Sequence, residues 1–133
     1  FGAYLRRVDS PATPYDWISR DTEIVERYAN DAKCTFVFTV SAFHELMHMV
    51  RDVNARGFAQ KLPKGLPIAL FSGDMDPVGS YGKGVVKVYD AMRAAGIQDV
   101  TLKLYRGGRH EIINETNRAE VYEDILTWCN GHV

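Results

Sequence analysis

The chain has 133 residues, enough for one modest domain, and its 46% apolar and 25% charged residues are the balance of an ordinary globular protein. Sixteen basic residues against seventeen acidic ones leave a net charge of −1, which argues against nucleic acid or an anionic membrane surface as the main partner. No apolar run reaches the roughly 18–20 residues needed to cross a bilayer, so no integral membrane segment is expected.

In chain order, Asp9-Ser10-Pro11-Ala12-Thr13-Pro14 reads as an extended, proline-bearing loop. Ser19 is expected to cap a short helix with Asp21 and Glu23 in its first turn; Ile24, Val25, Tyr28 and Ala29 give it an apolar side, and Asn30-Asp31 stops it. Phe36-Val37-Phe38 is apolar and extended in character. A second helix begins at Ser41, with Phe43, Leu46, Met47, Val50 and Val53 as its buried stripe and Gly57 closing it. Lys61 to Pro67, with two prolines and a glycine, is a linker.

From there the texture changes to strand, helix, strand, helix, the pattern of an α/β layer with parallel strands. Leu66 to Phe71 is almost wholly apolar, as expected of a strand buried on both faces. It ends in Ser72-Gly73-Asp74-Met75-Asp76-Pro77. A helix over 82–95 follows, with Val85, Val88, Tyr89 and Met92 facing one way and Gly96 ending it. Val100 to Tyr105 alternates and is a second strand, nearer an edge. After Arg106-Gly107-Gly108-Arg109-His110 comes the last helix, capped by Asn117 with Glu120 three residues on; Val121, Tyr122, Ile125, Trp128 and Cys129 form its buried face, and Gly131 terminates it.

Cys34 and Cys129 match no metal or redox spacing and read as buried free thiols in a reducing compartment, which points to the cytoplasm, with one disulfide between them as the alternative. The chain opens on Phe1 rather than Met and without a secretory pattern, so it is expected to begin inside a longer protein.

Asp76 and His110 each fall a few residues beyond the C-terminal end of a predicted strand, in a glycine-containing loop. Open parallel sheets bind ligands outside those strand ends, where the loops converge. A carboxylate there can accept a hydrogen bond from one imidazole nitrogen, fix the tautomer, and stabilise the imidazolium formed when the other nitrogen takes a proton.

These residues also carry a resemblance. Ser72-Gly73-Asp74-Met75-Asp76-Pro77-Val78-Gly79 is similar to the acid loop of the monoacylglycerol lipase and serine aminopeptidase branch of the α/β-hydrolases. Tyr105-Arg106-Gly107-Gly108-Arg109-His110-Glu111 through Asn114-Glu115 resembles that branch's histidine segment, 34 residues on from acid to histidine. Tyr15-Asp16-Trp17-Ile18-Ser19-Arg20-Asp21 and Cys34-Thr35-Phe36-Val37-Phe38-Thr39 resemble its helical cap. The resemblance implies Asp76 as the triad acid and His110 as the general base. Asp74 is the competing acid, set aside because Asp76 holds the position before Pro-Val. Glu111 and Glu115 are expected to hold the histidine loop together.

The family nucleophile sits in a Gly-x-Ser-x-Gly elbow. Ser10, Ser19, Ser41, Ser72 and Ser80 have no such setting; Gly79-Ser80-Tyr81-Gly82 comes closest but lacks the spacing and follows no strand. The nucleophile is therefore expected before Phe1, consistent with a Ser, Asp, His chain order.

His44-Glu45-Leu46-Met47-His48 is formally the zinc-peptidase pattern on a helix, with two imidazoles one turn apart. It lacks an extension or a clearly placed third ligand, and reads instead as a helix flank. Gly79 to Gly84 is glycine-rich but matches no phosphate-binding loop. Trp17, Phe36, Phe38 and Phe43 are candidates to line an acyl pocket, with plain packing as the alternative.

The expected fold is α/β: the C-terminal portion of an α/β-hydrolase, with residues 1–60 as part of a helical cap and 61–133 as the C-terminal part of the core. The expected function is serine hydrolysis of carboxylic esters such as monoglycerides or lysophospholipids, with no cofactor and no bound metal. The partners are then a small lipid or ester substrate and either the missing N-terminal half or a second copy of the chain. The rivals are a zinc peptidase using His44, Glu45 and His48, and a non-catalytic binding domain.

Overall fold

The structure, a computed structural model, describes residues 2–132. Its elements are α1 (Thr22–Asn30), α2 (Val40–Val53), β1 (Ile68–Gly73), α3 (Lys83–Ala94), β2 (Val100–Tyr105) and α4 (Arg118–Asn130), with single 3-10 turns at Gly2–Leu5, Ala59–Lys61 and Ile112–Asn114. β1 and β2 pair in parallel, in register from Ile68 opposite Val100 to Gly73 opposite Tyr105. A parallel pair needs a crossover, and α3 supplies it, lying against both strands with Val85, Tyr89 and Met92 half-buried. Because the register closes on Gly73 and Tyr105, both strands end level and their following loops leave from one edge of the sheet.

Local chemistry sets the element ends. Asp21, not Ser19, caps α1: its carboxylate accepts the amides of Glu23 and Ile24. Thr39 caps α2 through the Ala42 amide, and α2 ends at Val53 with Asn54 as its cap. Gly57, expected to close that helix, takes a left-handed conformation in the turn beyond it. α4 does begin after Asn117, but the Asn117 side chain donates to Glu120 and accepts from Arg20 instead of capping a backbone amide.

Burial corrects several expectations. The core is built from Trp17, Ile18, Val25, Ile97, Tyr105 and Val121. The apolar stripe of α2 is not part of it: no residue of α2 is buried, and Phe43, Met47, Val50 and Val53 are all exposed. Periodicity made that helix amphipathic, but nothing among the described residues covers the apolar side. β1 starts two residues later than expected, after Pro67, which has no amide to give a ladder. Its residues before Gly73 are half-buried rather than buried on both faces. The helix 118–130 hides Val121 but exposes Tyr122 and Cys129. Cys34 and Cys129 are free thiols, half-buried and exposed respectively, not the buried pair expected. No helix among the described residues is long and apolar enough to cross a membrane.

Candidate active site

The loops leaving β1 and β2 are bonded directly to each other. The Met75 amide donates to the Gly108 carbonyl at 2.9 Å, and the Asp74 amide to the Tyr105 carbonyl at 3.1 Å. Gly73 makes this approach possible: a Cβ there would stand 2.0 Å from the Gly108 oxygen. Asp74 is used up in the same contact, accepting the Gly107 amide at 2.7 Å. Beyond Asp76 the chain turns sharply through Ser80 and Tyr81, both in the left-handed region (φ 53° and 56°), and the Tyr81 amide closes back on the Asp76 carbonyl at 2.8 Å. Left-handed backbone at non-glycine residues stores strain, and the turn aims the Asp76 side chain across at the second loop.

There it meets the histidine. Asp76 Oδ1 lies 3.2 Å from His110 Nδ1 and also accepts the Val78 amide at 2.8 Å. The carboxylate is buried, while the imidazole side chain is 39% exposed. Burial would raise the Asp76 carboxyl, but the bonds from His110 and from the Val78 and Gly79 amides outweigh it and hold the group below the usual carboxylate range. The Asp76 bond lifts His110 above the ordinary imidazole value against the opposing effect of burial. Its second nitrogen, Nε2, hydrogen-bonds no side chain among the described residues.

The rest of the histidine loop is held by a segment some ninety residues earlier in the chain. The amides of His110 and Glu111 donate to the carbonyls of Trp17 (3.4 Å) and Ile18 (2.8 Å), and the Trp17 ring packs against the imidazole with centroids 5.0 Å apart. Glu115, fully buried, gathers the Arg20 amide and guanidinium, the Arg109 amide and the Thr116 amide. Arg109 in turn donates to the carbonyls of Asp16 and Ser19, and Ser19 Oγ to the Asn114 carbonyl. Glu115 thus holds the loop, as expected. The Glu111 carboxylate accepts from the Asn114 side chain in the same turn, and its backbone amide joins the loop to Ile18. Trp17 was a pocket candidate in the sequence, but the bonds that Arg20 and Arg109 make had no signal there, because each depends on a contact across the chain.

Other expected residues lie elsewhere. Trp17 packs on the imidazole, whereas Phe36, Phe38 and Phe43 form a separate, exposed row with centroids 5.2 and 5.4 Å apart. A concavity along α1, lined by Glu23, Glu26, Arg27, Asn30 and Asp31, includes neither Asp76 nor His110. His44 and His48 touch each other on α2, and no group of three or more potential metal ligands exists among the described residues.

A family model described as "serine aminopeptidase, S33" matches residues 3–117. The chain belongs to the S33 serine aminopeptidase family. As a member of that family it has the fold of a C-terminal portion of an α/β-hydrolase, and two solved structures agree. One is a highly thermostable carboxyl esterase from Bacillus coagulans, crystallised in complex with glycerol: 38% identity over 96% of this chain, TM-score 0.87. The other is a lipase in its open form: 31% identity over 98% of this chain, TM-score 0.86. The S33 chain spans 42% of the length of each of these two proteins. No curated protein matches it.

Proposed function

We propose that Asp76 and His110 are the acid and general base of a serine-hydrolase triad acting on carboxylic esters, with the serine supplied from outside these 133 residues. The observation that carries this reading is the orientation of His110: Nδ1 is engaged by a buried carboxylate while Nε2 is left open. With its Nδ1 proton held by Asp76, the imidazole presents a lone pair at Nε2. It takes the proton of an attacking serine, returns it to the leaving alcohol, and then activates the water that hydrolyses the acyl-enzyme. Asp76 stabilises the imidazolium at each stage. The chemistry needs no metal or organic cofactor.

Residues 1–60 belong, in this reading, to a cap over the site and 61–133 to the core. The esterase and lipase likenesses support small esters or monoglyceride-like lipids as the substrate class. Single substitutions in a preparation that includes the upstream segment test it. His110→Ala should lower turnover on p-nitrophenyl esters by several orders of magnitude, whereas His48→Ala should leave it within about tenfold. The 133-residue chain alone should neither hydrolyse these esters nor react with a fluorophosphonate. Stoichiometric labelling at Ser72 or Ser80, or full activity in His110→Ala, would remove the assignment.

A further inference from the structure

The triad reading leaves one pair of imidazoles unused. His44 and His48 occupy equivalent positions on successive turns of α2, far along the chain from Asp76 and His110. Their Nε2 atoms are 3.1 Å apart. We propose that this pair is a surface site for a divalent transition-metal ion, chelated by Nε2 of His44 and Nε2 of His48.

Three observations carry it. The first is the separation itself. An ion at the roughly 2.0–2.1 Å of an imidazole bond to zinc, bound equally to two nitrogens 3.1 Å apart, subtends an angle of about 100°. That lies between the right angle of square-planar or octahedral geometry and the tetrahedral angle, so the pair has the bite of a chelate without rearranging the backbone.

The second is ring placement. The centroids are 4.2 Å apart, only about an ångström more than the nitrogens. An end-to-end N–H···N contact would add both ring radii to the nitrogen separation. The rings instead lie alongside one another, with both Nε2 atoms at the same edge of the pair.

The third is the partner of the far nitrogen. His44 Nδ1 lies 3.2 Å from the Glu45 carboxylate. A carboxylate only accepts, so the proton of neutral His44 sits on Nδ1 and its Nε2 carries the lone pair. Metal-bound histidines characteristically donate their second N–H to a carboxylate in this way. In the metal-free pair the two Nε2 atoms are in direct contact. On binding, His48 takes the tautomer protonated at Nδ1, and both lone pairs turn to the ion.

The absence of a third ligand among the described residues distinguishes this site from a peptidase centre. Two imidazoles and solvent make an open, exchangeable coordination shell. Imidazole ligation suits copper, nickel and zinc, and the Irving–Williams order sets their ranking: Cu²⁺ above Ni²⁺ and Zn²⁺. Binding clamps one turn of a helix that buries no residue, so the ion also stabilises α2.

Calorimetric titration of the chain with Ni²⁺ or Zn²⁺ alone, together with thermal melting, tests the proposal. One ion should bind per chain, with a melting temperature that rises with ion concentration. His44→Ala and His48→Ala should each abolish both effects, and His132→Ala should leave them unchanged. Glu45→Ala should weaken binding about tenfold, the loss typical of a missing outer partner. Each variant's circular dichroism in the absence of metal checks that α2 is intact. Equal binding in the wild-type chain and in His44→Ala would overturn the site. So would the absence of saturable binding with both ions, whatever the fate of the triad assignment.

Discussion

The Asp76–His110 contact makes charge state the variable to measure at the site. Asp76 is held below its ordinary value and His110 above it, so the two are both charged across an interval wider than free side chains would share. For the histidine, the stabilisation is fully present below the unfolded imidazole value near 6.5 and disappears as pH rises through the higher folded value. For the aspartate, it is present above the unfolded carboxyl value near 3.9 and disappears as pH falls through the lower folded value. The pair therefore supports the fold most strongly in mildly acidic solution. A general base must be neutral, so the proposed ester hydrolysis should gain activity only as pH climbs past the raised His110 value. Asp76→Asn should move that acid limb to lower pH, and lower turnover by about 10⁴-fold if the amide imposes the wrong tautomer, as in serine proteases. NMR titration of the His110 ring protons in the chain and in Asp76→Asn checks the first half without any substrate. An unchanged midpoint would deny the contact its electrostatic role.

At the scale of elements, the site depends on two loops brought together at one sheet edge and on a clamp behind them. Gly73→Ala places a methyl group inside the Gly108 carbonyl, and backbone cannot yield as a flexible side chain would. Its cost should reach or exceed the upper end of the about 1–3 kcal/mol usual for overpacking, read by chemical denaturation. Glu115→Ala leaves Arg20 and three backbone amides without their acceptor in a buried position, and about 3 kcal/mol of stability should go with it. Glu115→Gln keeps two acceptor lone pairs and should lose less. These contacts also mark what sequence reasoning can reach. β2 was legible to the residue because its alternation and the following Gly-Gly leave one register open. The meeting of Asp76 with His110 was legible because parallel strands deliver their loops to one edge. Asp74 was set aside because Asp76 precedes Pro-Val, but its acceptance of the Gly107 amide is a contact that no pattern announces. Ser19 looked like a cap because caps are local, but its hydroxyl is spent on Asn114, ninety-five residues away. The α2 stripe showed which side of the helix is apolar, and periodicity carries no information on whether anything lies against it.

For the molecule as a whole, a two-stranded sheet leaves the outer edge of each strand unpaired among the described residues. Phe36, Val37, Phe43, Met47 and Val50 add apolar surface that water must cover. Edges and patches of this kind drive association. Light scattering behind size exclusion should show the mass of the isolated chain rising with concentration, and a strictly monomeric chain at high concentration would contradict the expectation. The clamp around Glu115 has another consequence. It grips the chain at Arg20, ahead of α1, and the sheet grips it again at Ile68. Between Asp31 and Phe58 the polypeptide makes an excursion, with the Ala59–Lys61 turn against α3 and the Lys64 carbonyl on the Gln98 amide as its far anchor, and α2 within it buries no residue. Closing a longer excursion is inexpensive, about 0.6 kcal/mol for each doubling of its length. That stretch can be lengthened, shortened or exchanged while the Asp76–His110 geometry stays fixed, which leaves it open to evolutionary change.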